Sequence, residues 1–172
     1  MDIKYLLWLQ DLRQKAGPTV ENFFSIFTDI PFCPASIIFL CAIYWCIEKR
    51  MGFFILFSQS AGNFINNFIK NCFCVYRSWI RDSRITPPEK VKSEATGYSF
   101  PSGHSQNVTN EYGALAYALF RKDKSQNKHT WTWAVVVCAL TILLVAFSRN
   151  FLSVHTPQDV IVGVSEGLLI PN

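Results

Sequence analysis

Apolar residues run along this chain in long blocks separated by short polar breaks. Near the start, Tyr5, Trp8, Leu9 and Leu12 recur at helical spacing, with Asp2, Lys4, Gln10, Asp11 and Arg13 interleaved. That pattern predicts an amphipathic helix over 3–12 lying at a membrane surface. Gly17-Pro18 ends it, and Val20, Phe23, Phe24 and Phe27 repeat the pattern on a second short helix. Cys33 to Ile47 is an uncharged apolar run closed by Glu48-Lys49-Arg50. Met51 to Ile69 is a second, softened by Ser58, Gln59, Ser60, Asn63, Asn66 and Asn67. Residues 70–100 are polar, carry Pro87-Pro88, and read as a loop or short helices outside the membrane. Residues 105–120 form a third helical run containing Glu111, and Arg121 to Lys128 is a basic connector. Trp131 to Phe147 is the clearest span, 17 residues without a charge and with two Trp near its start.

A crossing helix needs about 20 apolar residues. Several runs therefore cross only with their flanks, and their polar residues must face other helices. The last run, Val160 to Ile170, would rise only about 16 Å as helix and cannot cross alone. The pattern predicts an all-α, multi-span membrane helix bundle. It forms a single domain over 1–172, with amphipathic N-terminal helices over 1–30 and a helical core over 34–170.

Composition agrees. Half of the 172 residues are apolar and only 16% are charged, against about a quarter in ordinary soluble domains. The net charge of +4 is mild, and no basic-aromatic stripe points to nucleic acid. Four of the six cysteines lie inside apolar runs. No C-x-x-C pair or zinc spacing occurs, so the cysteines are expected to be buried thiols. The N-terminus shows no cleaved signal peptide.

Three polar islands carry the chemistry. Lys70 and Arg77 leave the second run, Phe100-Pro101-Ser102-Gly103-His104 opens the third, and Ser148-Arg149, His155 and Asp159 follow the fourth. If 34–48, 51–69, 105–120 and 131–147 each cross once, all three islands fall on one membrane face by parity alone. Lys70, Arg77 and Arg149 then form a cationic site suited to phosphate oxygens. Ser102 and Gly103 place the N–H groups of a helix N-terminus beside it. Thr156 suits an N-cap, Pro157 the first helical position and Asp159 the third. Asp159 can reach back to one ring nitrogen of His155 and leave the other to attack. His104 would stand opposite, ready to protonate a leaving oxygen. Nothing in this design requires a metal or other cofactor. His129, in the connector, falls on the other face.

These residues resemble the type-2 phosphatidic acid phosphatases, whose signature is Lys-x6-Arg-Pro, Pro-Ser-Gly-His and Ser-Arg-x5-His-x3-Asp. Lys70 and Arg77 match the first part, Pro101 to His104 the second, and Ser148, Arg149, His155 and Asp159 the third. The stretches around Arg77 to Asp82 and Ala95 to Tyr98 look like bacterial membrane members, and the likeness covers about residues 34 to 163. The resemblance implies a six-helix membrane bundle and a metal-independent phosphatase acting on lipid phosphates or pyrophosphates. His155 would be the nucleophile that becomes phosphohistidine, Asp159 its orienting partner and His104 the general acid. Lys70, Arg77, Ser102, Gly103 and Arg149 would hold the phosphate. It also implies contact with membrane lipids and a site on the extracytoplasmic face. Charge alone does not decide sidedness, with six Lys/Arg on one set of connectors and seven others opposite once Lys70, Arg77 and Arg149 are set aside.

Two departures stand out. Ser78 replaces the family's Pro, loosening the backbone beside Arg77 without losing a phosphate contact. The chain also stops at Asn172, where the family continues into a last helix. A shortened chain, a natural truncation and a protein completed by another chain, including a homo-oligomer, all fit. The rival readings are a non-catalytic membrane protein that binds phospholipid headgroups in the same pocket and a vanadate-dependent haloperoxidase.

Overall fold

The computed structural model of the chain describes residues 2–29, 38, 41–126 and 132–169. Most of the first predicted run therefore lies outside the described residues, as do Cys33, His129 and Trp131. Among the described residues every regular element is helical. Helix α1 is Asp2–Ala16 and α2 is Pro18–Thr28. Gly17, at φ 85°, turns the chain between them, and Pro18 sits in the first turn of α2, where its fixed φ suits a helix start and no N–H is lost. A short π-helical segment, Ile43–Ile47, precedes α3, Lys49–Phe73. Two small helices follow, α4 at Ser78–Arg81 and α5 at Glu89–Glu94. The remaining long elements are α6 (Gly103–Gln126), α7 (Thr132–Phe151) and α8 (Pro157–Leu169). The second and third predicted runs are thus the middles of α3 and α6, each extended into its polar flanks, and the fourth, from Thr132 on, is the first part of α7.

Helix α6 is the centre of the bundle, packed on α3, α7 and α8. It is polar for a central helix: Ser105, Gln106, Asn107, Thr109, Asn110 and Glu111 are all buried. Such groups need internal partners. Asn110 gives its Nδ2 to the Ser58 carbonyl of α3, and the Thr109 hydroxyl bonds the Ser105 carbonyl one turn back. The outer faces are apolar. Phe53, Phe57, Phe64 and Phe68 on α3 and Val137, Leu140 and Leu143 on α7 are exposed on the isolated chain. Among the described residues, α7 is the one helix long and apolar enough to cross a membrane by length and composition.

Two expectations change. On α1 the buried face is Leu6, Leu9, Gln10 and Arg13, while Trp8 and Leu12 are exposed. The polar pair goes inward because backbone carbonyls wait there. Gln10 bonds the Arg84 carbonyl and the Thr86 N–H, and Arg13 bonds the Thr86 and Phe151 carbonyls and pairs with Glu21 at 3.2 Å. The cysteines also differ: Cys138 is buried, but Cys46, Cys72 and Cys74 are exposed. Cys46 lies in the short segment before α3, and Cys72 and Cys74 lie at the C-terminal end of that helix.

Helix α8 meets α6 through Gly163 and Gly167, one turn apart. A Cβ on Gly163 would collide with the Ser102 carbonyl oxygen, and one on Gly167 would lie 2.6 Å from both the Gln106 carbonyl oxygen and Thr109 Cβ. Small residues at this spacing let helix backbones touch. Gly163→Ala is therefore expected to lower stability by about 1–3 kcal/mol through overpacking. Thermal unfolding in detergent checks this, and an unchanged midpoint would show that the two helices can separate at no cost.

Candidate active site

The three polar islands meet at one end of the helices. Lys70 lies in the last turn of α3, which Cys74 closes in the left-handed region at φ 50°, its N–H bonding the Lys70 carbonyl at 3.0 Å. The chain then extends to Arg77, just before α4. The guanidinium of Arg77 is held as a fork: Nε donates to the Gly97 carbonyl at 3.1 Å and Nη2 to the Thr96 carbonyl at 2.6 Å. Ser78, in the family's Pro position, is fully buried and donates its hydroxyl to the Ser153 carbonyl at 2.7 Å. The substitution thus ties α4 to the loop that carries His155, offsetting the loss of a rigid φ.

Ser102 caps α6. Its hydroxyl accepts from the Ser105 N–H at 3.4 Å and from the Ser105 hydroxyl at 3.0 Å, and its own N–H donates to the Asp159 carbonyl at 2.9 Å. The end of α7 brings Arg149, 2% exposed, with Nη1 donating to Thr28 Oγ1 at 3.0 Å. Beyond α7 the chain turns sharply through Ser153, at φ 61°. The Arg149 carbonyl then accepts both the Val154 and His155 N–H groups, at 3.1 and 3.3 Å. That turn, of the kind that ends helices through a left-handed residue, places His155 beside Arg149. Thr156 and Asp159 cap α8 reciprocally, at 2.9 and 3.4 Å. The Asp159 carboxylate also accepts the Ser99 hydroxyl at 2.6 Å.

His155 is 2% exposed, with a charged side chain facing each ring nitrogen. Nε2 faces Arg77 Nη1 at 3.1 Å, and Nδ1 faces Asp159 Oδ2 at 3.5 Å. A guanidinium can only donate, so Nε2 carries the lone pair and the proton sits on Nδ1. Burial, reinforced by the charges of Arg77 and Arg149, pushes the His155 pKa down to about 3, against the pull of Asp159. The ring is therefore neutral at pH 7. Burial also lowers Arg77, to about 10, which leaves it charged.

A cavity of about 520 Å³ opens in front of His155. Lys70, Arg77, Gly103, His104, Arg149 and His155 line it. Ser102 and Asp159 do not: both are buried behind the wall, Ser102 holding the start of α6 and Asp159 holding His155. The cavity thus sets a neutral imidazole, three cations, a helix start and a second imidazole around one space. Such a space fits a phosphoryl group, with electrostatic stabilisation from fixed donors.

Several contributors are not evident from motif spacing. Asn63, Asn66 and Asn67 share the wall with Lys70. Their spacing of three, four and seven places them on one helix face, a polar stripe legible in the second run. Asn66 donates to Glu166 on α8 at 2.8 Å. Ser99 links the first and third islands, since its N–H bonds the Val75 carbonyl at 2.8 Å and its hydroxyl bonds Asp159. No local sequence signal marks Ser99 for that role. Asp29 and Glu94 bring two carboxylates to the cavity wall.

Comparison with known proteins places this arrangement. Residues 51–171 match the PAP2 superfamily. The chain is 34% identical over 96 residues to phosphatidylglycerophosphatase B of Bacillus subtilis (strain 168), covering 56% of this chain and 46% of that protein. It is 24% identical over 159 residues to lipid phosphate phosphatase delta of Arabidopsis thaliana, covering 88% of this chain and 36% of that protein. The chain thus spans less than half the length of these two curated relatives. A crystal structure of a transmembrane PAP2 type phosphatidylglycerolphosphate phosphatase from Bacillus subtilis superposes with a TM-score of 0.79. The superposition has 24% identity and covers 98% of this chain and 80% of that one, so the two share a fold.

Proposed function

Because this chain belongs to the PAP2 superfamily, we propose that it is a membrane phosphatase that hydrolyses a lipid phosphate or pyrophosphate through a phosphohistidine. The observation that carries this reading is His155, neutral and buried between Arg77 and Asp159 at the wall of a cationic cavity. In the first step Nε2 attacks phosphorus as the ester P–O bond breaks, and Arg77 Nη1 shifts from the ring to a phosphoryl oxygen. Asp159 supports the positive charge that spreads into the ring. Lys70, Arg77 and Arg149, with the start of α6 at Gly103, hold the equatorial oxygens. His104 gives a proton to the departing oxygen. In the second step His104 takes a proton from water, whose oxygen displaces His155 from phosphorus and releases inorganic phosphate.

The chain's own cations supply the charge stabilisation, so the proposed reaction is independent of metal. The exposed apolar faces of α3 and α7 suit lipid contact, which would put the cavity at headgroup depth. Phosphatidic acid-like and isoprenyl pyrophosphate-like lipids are the proposed substrates, taken from the extracytoplasmic side. The test is inorganic phosphate release by the purified chain from dioleoyl phosphatidate and farnesyl pyrophosphate, with a chelator present. Release from either is the expected result. Headgroup binding without turnover would favour the non-catalytic reading, and loss of turnover on chelation would overturn the metal-free mechanism. Hydrolysis of lipid confined to the outer leaflet of sealed, right-side-out vesicles would test sidedness.

A further inference from the structure

The N-terminal helices lie outside residues 51–171, the part that matches the family, yet the end of α2 reaches the cavity. Thr28 is fully buried and its hydroxyl accepts from Arg149. The next residue, Asp29, lines the cavity. Its Oδ1 lies 4.0 Å from His104 Nε2, and its Oδ2 lies 3.6 Å from Lys90 Nζ at the start of α5. Asp29 is thus held from one side by a lysine and directed on the other at the proposed general acid. The contact is long for a hydrogen bond, as such contacts often are before substrate binds.

A general acid must carry its proton before it can give it away. Around His104 the surroundings are unfavourable for that form: burial opposes the charge first, and Arg149, His155, Lys70 and Arg77 add to it. A carboxylate at Nε2 supplies the opposite charge where the imidazolium needs it. This inference rests on the phosphatase reading and adds a residue to it. We propose that Asp29 is a positioning residue for His104, its carboxylate holding the ring through Nε2–H. The proton for the leaving oxygen then comes from Nδ1, as the P–O bond breaks and the P–N bond to His155 forms. The N-terminal helix pair is on this view part of the active site.

The test uses the dependence on leaving group. A phosphatidate must expel an alkoxide, which needs a proton. Para-nitrophenyl phosphate expels a stabilised phenolate, which does not. Asp29→Asn is expected to lower kcat on dioleoyl phosphatidate by about 10- to 100-fold, a share of the roughly 10²–10⁴ that general acid catalysis supplies, with less than about a threefold change on para-nitrophenyl phosphate. Asp29→Glu should restore most of the loss, and His104→Ala should show the same substrate dependence, enlarged. Equal losses of Asp29→Asn on both substrates, or none on either, would overturn the proposal while leaving the phosphatase reading intact if His104→Ala keeps its dependence. A wild-type chain that releases phosphate from neither substrate would sink the phosphatase reading and this inference with it. Thermal unfolding of Asp29→Asn in detergent separates a folding defect from a catalytic one.

Discussion

His155→Ala is expected to reduce phosphate release by about 10⁴- to 10⁶-fold, to the level left by substrate binding alone, as when a covalent nucleophile is removed from other hydrolases. The reason is geometric. Nε2 is the lone pair presented at the cavity wall by a ring held between Arg77 and Asp159. The charged groups beside it, Lys70, Arg77 and Arg149, are cations suited to holding phosphate oxygens on the proposed reading. Because burial pushes the imidazole down to about 3, lowering the pH from 7 to 5 is expected to leave the proposed nucleophile neutral, and an activity change in that range is expected to have another source. Brief incubation of the wild-type chain with radiolabelled lipid phosphate, quenched in alkali, should yield a labelled protein whose label acid releases. That label should be absent from His155→Ala. A label of the same amount and stability in the alanine variant would overturn the assignment of the nucleophile.

The second large effect is expected at Arg77. Arg77→Lys keeps the charge and removes the fork, and kcat should fall by about 10²–10³, the cost of losing a preorganised donor from a charge-stabilising site. Two of the three guanidinium contacts go to the Thr96 and Gly97 carbonyls, so the loop fixes the plane and leaves Nη1 aimed at His155 Nε2. Packing over the Trp79 ring at 5.7 Å fixes it further. A lysine amine can reach one of these partners, and its single point of charge cannot hold both the loop and the phosphoryl oxygen. The measurement is kcat and KM for phosphate release, with the orthovanadate inhibition constant as a readout of anion binding. Retention of kcat within about threefold would mean that charge alone suffices there and that the fork is structural.

Much of this site is legible in the residues themselves. The order of the three islands, the helical runs between them, and the cap that ties Asp159 to Thr156 all follow from local spacing. A helix start depends on residues three or four apart, and a long helix on the pattern of a continuous run, so a linear reading reaches both. The same reading goes astray where the partner is distant. Gln10 and Arg13 look like solvent-facing positions on α1, but their hydrogen bonds run to carbonyls more than seventy residues away. Ser102 is a local case: its motif marks it as a phosphate ligand, and its hydroxyl also accepts from Ser105, three residues on, which caps α6 behind the cavity wall.

What the sequence by itself determined is the chemical inventory: two imidazoles, three cations, a carboxylate and apolar helices long enough, with their flanks, to hold them at one end. Tertiary structure alone decided which neighbours tune that inventory. The Asn stripe faces the cavity because α3 turns it toward α6 and α8. Gly163 and Gly167 matter because two helix backbones touch there, and Asp29 meets His104 because α2 ends against α7. Each of these contacts joins segments far apart in the chain, and such pairings are set by how whole helices pack rather than by any local pattern.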